Sequence, residues 1–166
     1  MSKIVGLIWV LVASFSIIEA QESSQGESIR RPPSIRGDVA FSVRKATEHL
    51  RAPSRLHFED VLTNLGGGWK HSTSEFIAPL NGGYFFIFHA VSAERSSFQI
   101  DLMKNDRTQV TAYGTRGSYE HGSSSVFLEL RKRDRIHLEI AEGEIYEHPR
   151  NEAYTTFSGF LVLNYD

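Results

Sequence analysis

Thr155–Leu163 reads TTFSGFLVL and lies next to the end of the chain. As an extended segment it sets Phe157, Gly159, Leu161 and Leu163 on one face and Thr156, Ser158, Phe160 and Val162 on the other. A strand apolar on both faces is covered on both faces. A glycine inside such a strand marks a close approach of other groups to the backbone. Gly83–Val91, GYFFIFHAV, has the same character. Tyr84, Phe86, Phe88 and Ala90 alternate with Phe85, Ile87, His89 and Val91. In a two-layer sandwich one face of each strand meets the opposite sheet. The other face is wet unless a second subunit covers it, so these two segments predict an oligomer.

Around them the pattern is strand after strand. Val39, Phe41 and Val43 alternate with Ala40, Ser42 and Arg44. Phe98, Ile100 and Leu102 alternate with Gln99, Asp101 and Met103; Val126, Leu128 and Leu130 with Phe127, Glu129 and Arg131. Ile136, Leu138 and Ile140 alternate with His137 and Glu139. Period two with polar partners predicts half-buried antiparallel strands. Asn81-Gly82-Gly83, Asn105-Asp106 and His121-Gly122 are turn signals. Only VRKATEHL, Val43–Leu50, could be helical, and its apolar spacing is poor. The chain is expected to be an all-β sandwich or jelly roll.

The 166 residues carry a net charge of -2 with both signs dispersed, and 40% of them are hydrophobic. That suffices for one core and argues against disorder. It also argues against nucleic acid, which needs clustered Lys and Arg. Absence of cysteine removes disulfides, thiolate zinc sites and cysteine nucleophiles. Residues 1–20 read as a secretory signal peptide: Lys3 precedes an apolar run from Ile4 to Ile18, and Ala20 closes it. The alternative, a retained anchor, needs about 20 apolar residues, more than this run supplies. The mature protein is therefore expected to be secreted and to have no membrane span. Residues 21–37 are polar and aperiodic, a flexible linker, and 38–166 form the domain. Without disulfides, oligomerisation is the remaining extra source of stability. No N-x-S/T sequon is present, and neither a heptad nor a Gly-X-Y repeat is found.

The collinear motifs resemble the C1q domain, the globular head domain of complement component C1q. They are AFSV (Ala40–Val43), FEDVLTNLGGGW (Phe58–Trp69), Phe76 with Pro79, GGYFFIFHA (Gly82–Ala90), MKND (Met103–Asp106), GSSSVFLEL (Gly122–Leu130), Arg133-Asp134 and FSGFLV (Phe157–Val162). The resemblance implies a ten-stranded jelly-roll β-sandwich of the C1q and tumour-necrosis-factor type, usually a homotrimer. It places the AFSV and FSGF strands side by side in the sheet nearest the trimer centre. Gly159 would then admit a ring from a neighbouring strand, with Tyr84 and Phe86 as candidates. Phe41, Tyr84, Phe86, Phe88, Phe157, Gly159 and Phe160 are the expected core and trimer-interface residues. Tyr84 and Phe86 belong to the row expected to face outward, so that an Asp at either would give monomer or aggregate. Three departures stand out. Ala78 replaces a cysteine that many members carry, Arg133 replaces a glycine, and no collagen or coiled-coil stalk is seen.

No catalytic motif is present, and an enzyme is not expected. The Gly66-Gly67-Gly68 cluster reads as a loop of unusual backbone geometry. Glu59-Asp60 and Glu142 with Glu144 read as solvated carboxylates. His137 and Glu139 have ligand-like spacing, which a solvent-facing polar edge explains more simply. His89 is expected in the interior. No cofactor is implied. Some relatives bind calcium near the threefold axis, but the residues for it are not mapped here. Arg36-Gly37-Asp38 spells an integrin tripeptide that more simply opens the domain.

Ligand binding is expected in the loops at the sandwich ends. Tyr113, Arg116, Tyr119 and His121 lie in Thr111–Ser123; Tyr146, His148 and Arg150 lie in Glu142–Ala153. The leading expectation is a lectin-like recognition molecule of innate immunity that binds polar or glycan surfaces. The alternatives are a cerebellin- or adiponectin-like signalling ligand for a cell-surface receptor, and a structural matrix component.

Overall fold

The computed structural model describes residues 37–47 and 51–165. The expected signal peptide, the expected linker up to Arg36 and part of VRKATEHL lie outside the described residues. Among the described residues eleven strands form two sheets and no helix occurs. They are β1 (Ala40–Ala46), β2 (Ser54–Arg55), β3 (Phe58–Leu65), β4 (Trp69–Lys70), β5 (Glu75–Ile77) and β6 (Gly82–Val91). Then follow β7 (Phe98–Lys104), β8 (Arg107–Gly114), β9 (His121–Leu130), β10 (Arg135–Gly143) and β11 (Thr156–Asn164). That is one more than the expected ten, and two of the eleven, β2 and β4, are only two residues long. One sheet has the order β3-β1-β11-β6-β9, the other β4-β5-β10-β7-β8 with β2 added beside β10. All pairs are antiparallel.

The first and last strands pair as the resemblance implied: Ala40 faces Phe160, Phe41 faces Gly159, Ser42 faces Ser158 and Val43 faces Phe157. The terminal strand is thus flanked on both sides, by β1 and β6; Phe157 is buried in the core, whereas Phe160, Val162 and Leu163 are 46, 51 and 51% exposed in one chain. A Cβ on Gly159 would stand 2.5 Å from Phe86 Cδ1 and 2.6 Å from Phe41 Cε1. Phe86 is therefore the ring expected over the glycine; the second is Phe41, not Tyr84. On the opposite face the Ser42 and Ser158 hydroxyls are 2.9 Å apart. Phe41 is the hub of the core, 4.9 Å from Trp69, 5.0 Å from Phe76 and 4.9 Å from Phe157 between ring centroids.

Several expectations need correcting. Tyr84 and Phe86 are fully buried between the sheets, as are Phe88 and Phe157, so they do not form an outward row. The outward row of β6 is Phe85, Ile87 and His89, and His89 is exposed instead of interior. His137 is the buried histidine, at 1% exposure. Its Nε2 lies 2.8 Å from Glu139 Oε1 and 3.2 Å from Arg55 Nη2. Alternation put it on a wet face, but β2 pairs alongside β10 and brings the Arg55 side chain onto the ring together with Glu139. His121-Gly122 opens β9 and is no turn. Asn105-Asp106 is one: φ of 49° and 63° gives the paired left-handed geometry that suits a two-residue hairpin. Arg133 adopts φ 77° where many relatives have glycine. Gly66 and Gly67, at φ 72° and 66°, make the left-handed loop expected there.

Candidate functional site

The outer face of the five-stranded sheet reads off its register. Leu65, Ala40, Phe160, Phe85 and Phe127 are successive cross-strand partners and form one apolar row. Leu65, Phe160 and Phe127 are 44, 46 and 47% exposed. The next row is Thr63, Ser42, Ser158, Ile87 and Ser125, and beyond it come Asp60, Arg44, Thr156, His89 and Ser123. The face grades from apolar at one end to polar at the other. Of the residues expected at an interface, only Phe160 lies on it; its ring is 5.6 Å from that of Phe85.

The polar end of this sheet leads into the loops. Tyr119 sits between β8 and β9 with φ 60°, a conformation few bulky residues adopt. His121 starts β9, and Val91 ends β6. Between β10 and β11, burial of Ile145 turns Tyr146 outward. Tyr119 meets Tyr146 edge-on at 4.9 Å, and Tyr154 lies nearly parallel to Tyr146 at 5.8 Å. His148 packs edge-on to Tyr146 and Tyr154, at 6.4 and 6.1 Å. Val91, Tyr119, His121, Tyr146 and Tyr154 enclose an open cavity of about 370 Å³.

Backbone bonds brace these loops. Tyr146 N donates to Val91 O at 2.8 Å, Ser92 N to Glu120 O at 2.9 Å, and Arg95 N to Gly117 O at 2.8 Å. Glu147 is 5% exposed, and its carboxylate accepts the amides of Tyr154 at 2.7 Å, Thr155 at 3.0 Å and Ala46 at 3.2 Å. One carboxylate so ties the β10–β11 loop to the end of β1. The Tyr146 phenol is pushed above its usual range by partial burial, then by Tyr119, Tyr154, Glu147 and Glu152.

Of the residues expected to bind ligand, the structure brings together Tyr119, His121, Tyr146 and His148. Tyr113 stands apart on β8, 59% exposed. Arg116 Nε is bound to Arg95 O at 2.9 Å. Arg150 N donates to His148 Nδ1 at 3.2 Å, and its carbonyl accepts from Lys45 Nζ. The paired carboxylates are held in ion pairs, Asp60 with Arg44 at 3.0 Å and Glu144 with Arg51 at 3.3 Å. Sequence reasoning missed Tyr154, one residue beyond the loop it marked, and Glu147, which looks like any surface glutamate. The signal for Glu147 was absent; that for Tyr154 was its place just before the terminal strand. Among the described residues no three His, Asp or Glu side chains stand close enough to hold a metal ion.

The fold is similar to the globular domain of zebrafish complement 1qA protein, at TM-score 0.62 and 22% identity, over 76% of this chain and 98% of that one. It is also similar to murine APRIL in its crystal structure at pH 8.0, at TM-score 0.55 and 13% identity, over 75% of this chain and 99% of that one. C1q-like and TNF-like proteins usually form trimers. C1q-domain proteins are generally secreted or extracellular and generally non-enzymatic. The family model of the C1q domain matches residues 40–162, which is most of the chain. The two-sheet sandwich, with its terminal strand locked between β1 and β6, is the fold that match requires, and the protein belongs to the C1q domain family.

Proposed function

We propose that the protein is a secreted homotrimer that recognises polar or glycan-bearing surfaces through the loop end of its sandwich, as a soluble pattern-recognition molecule of innate immunity. The observation that carries this reading is the separation of two surfaces on one rigid frame. The apolar row through Phe160, Phe85 and Phe127 offers a seam for neighbouring copies. The tyrosine cavity lies at the polar end, clear of that row, and is braced by backbone bonds before any ligand arrives. Light scattering of the secreted protein, with a glycan array and a bacterial-surface pull-down, tests both parts. A trimer that binds such surfaces, and loses them when Tyr119 or Tyr146 is replaced by Leu, is the expected result. A monomer at working concentration, or no binding to any surface, overturns it.

A further inference from the structure

We propose that the cavity between Tyr119, Tyr146 and Tyr154 binds the trimethylammonium group of choline-type ligands, an assignment that rests on reading the loop end as the ligand face. Three phenol rings wall the cavity from different directions: Tyr119 is inclined 63° to Tyr146, and Tyr154 is inclined 30° to it. Such a box offers negative ring faces to a cation from several sides, the arrangement that holds quaternary ammonium groups. Among the described residues no hydrogen bond engages the three hydroxyls. The hydroxyls are therefore not tied up in the fold, while the rings hold one another in place through their mutual contacts.

The charges around the box select the sign. Its five lining residues include no Lys or Arg. A second cleft shares Tyr119 and Tyr146, and its charged lining is Glu94, Glu144 and Glu147. Glu144 and Glu94 are partly offset by Arg51 at 3.3 Å and Arg95 at 3.8 Å. Glu147 has only backbone amides as partners among the described residues, so its charge is not cancelled by a cation. Of the groups that push the Tyr146 phenol up after partial burial, Glu147 and Glu152 are the carboxyl groups, and Glu152 Oε2 lies 2.8 Å from His148 Nδ1. An anion meets this field unfavourably, and a neutral sugar leaves it unused. A primary ammonium brings three N–H donors that need directed acceptors, and the lining supplies mostly ring faces. A quaternary ammonium has no N–H to satisfy. The cavity, about 370 Å³, lies at the lower end of small-ligand pockets and is open at the side of Tyr119 and Tyr154, 44 and 39% exposed.

The test is calorimetric titration of the intact protein with phosphocholine, with choline, and with 3,3-dimethylbutanol, which has the same shape without the charge. Choline and phosphocholine are expected to bind, with the neutral analogue at least about tenfold weaker. Tyr146→Leu and Tyr119→Leu should each weaken binding about tenfold, and Tyr146→Phe, which keeps the ring, should not. Light scattering checks that the assembly is unchanged in each variant. Uptake onto phosphatidylcholine vesicles as well assigns the ligand to a membrane headgroup; binding of free phosphocholine without vesicles assigns a soluble or glycan-borne choline; both support the proposal. Equal affinity for the neutral analogue overturns it, as does binding of a trimethyl-lysine peptide in the absence of choline binding. If glycans bind through Tyr146 while choline does not, the ammonium assignment falls and the loop-end reading stands. If neither binds, both fall.

Discussion

Gly159→Ala tests the packing on which the terminal strand depends. The added methyl would stand 2.5 Å from Phe86 Cδ1 and 2.6 Å from Phe41 Cε1, whereas carbons pack comfortably at about 3.5–4.0 Å. Each ring must therefore withdraw by about 1 Å. Neither has anywhere to go: Phe86 is 0% and Phe41 is 2% exposed. Phe41 is stacked on Trp69 and Phe76, and Phe86 lies against Phe76 and Tyr84. Overpacking of this kind costs about 1–3 kcal/mol, and two trapped rings put it near the upper end. Alanine regains roughly 0.5–1 kcal/mol over glycine in a strand, so the net loss is about 2 kcal/mol. Urea unfolding at fixed protomer concentration measures it. The fluorescence of Trp69 reports the core directly, since Trp9 is the other tryptophan and lies in the expected signal peptide. Adding Phe86→Leu to Gly159→Ala should recover at least about 1 kcal/mol relative to additivity, because the smaller side chain vacates the methyl's place. An alanine variant as stable as the parent, or strict additivity in the double variant, refutes the packing account.

Phe160→Asp should give a folded monomer by light scattering, since the side chain is half exposed in one chain and sits in the apolar row; a persisting trimer refutes the seam. Tyr84→Asp, by contrast, should fail to fold, because it buries a charge at a fully enclosed position. Arg133→Gly should stabilise by about 0.5 kcal/mol in thermal unfolding: relief of φ 77° is worth about 1–2 kcal/mol, and the freer unfolded glycine takes back about 0.5–1. For Asp134, burial alone would raise the carboxyl, but hydrogen bonds from Asn105, the Arg131 amide and Lys104 outweigh it and hold it below the ordinary 3.8. Its contribution is thus complete above that value and is lost as pH falls through the lower folded value. Asp134→Asn should accordingly flatten the acid limb of stability against pH below about 4; an unchanged limb counts against this role.

The fold was legible because its strongest signals are local and periodic. Val39, Phe41 and Val43 alternate inward as written, and so do Phe98, Ile100 and Leu102. Which face of β6 points inward was not legible, because Phe85 and Phe86 are equally apolar. The register decides it: Gly159 faces Phe86 across the strands, and the glycine's missing side chain makes room on the inner face. The same ambiguity hid His137. Its neighbours Ile136 and Leu138 correctly predicted that it points away from the core, but β2, two residues long, leaves no periodic trace in the sequence.

The site was legible only in part, for a reason that follows from its construction. Aromatic and polar loops could be marked by composition, and Tyr119, His121, Tyr146 and His148 do converge. Convergence itself depends on contacts between loops far apart in sequence, and these are made by backbone groups that every residue carries. Glu147 shows the difficulty. Nothing in GEIYEHP distinguishes its carboxylate from that of Glu144, yet one accepts three buried amides and the other pairs with an exposed arginine. Losing the first would leave donors at Ala46, Tyr154 and Thr155 without a partner, at about 1–3 kcal/mol for each one left buried, and would release Tyr154 from the cavity wall. Losing the second would remove an exposed pair worth at most about 1 kcal/mol. The cavity's shape is therefore set by a residue that does not belong to its aromatic wall, and side-chain chemistry read along the chain marks the wall without marking what holds it.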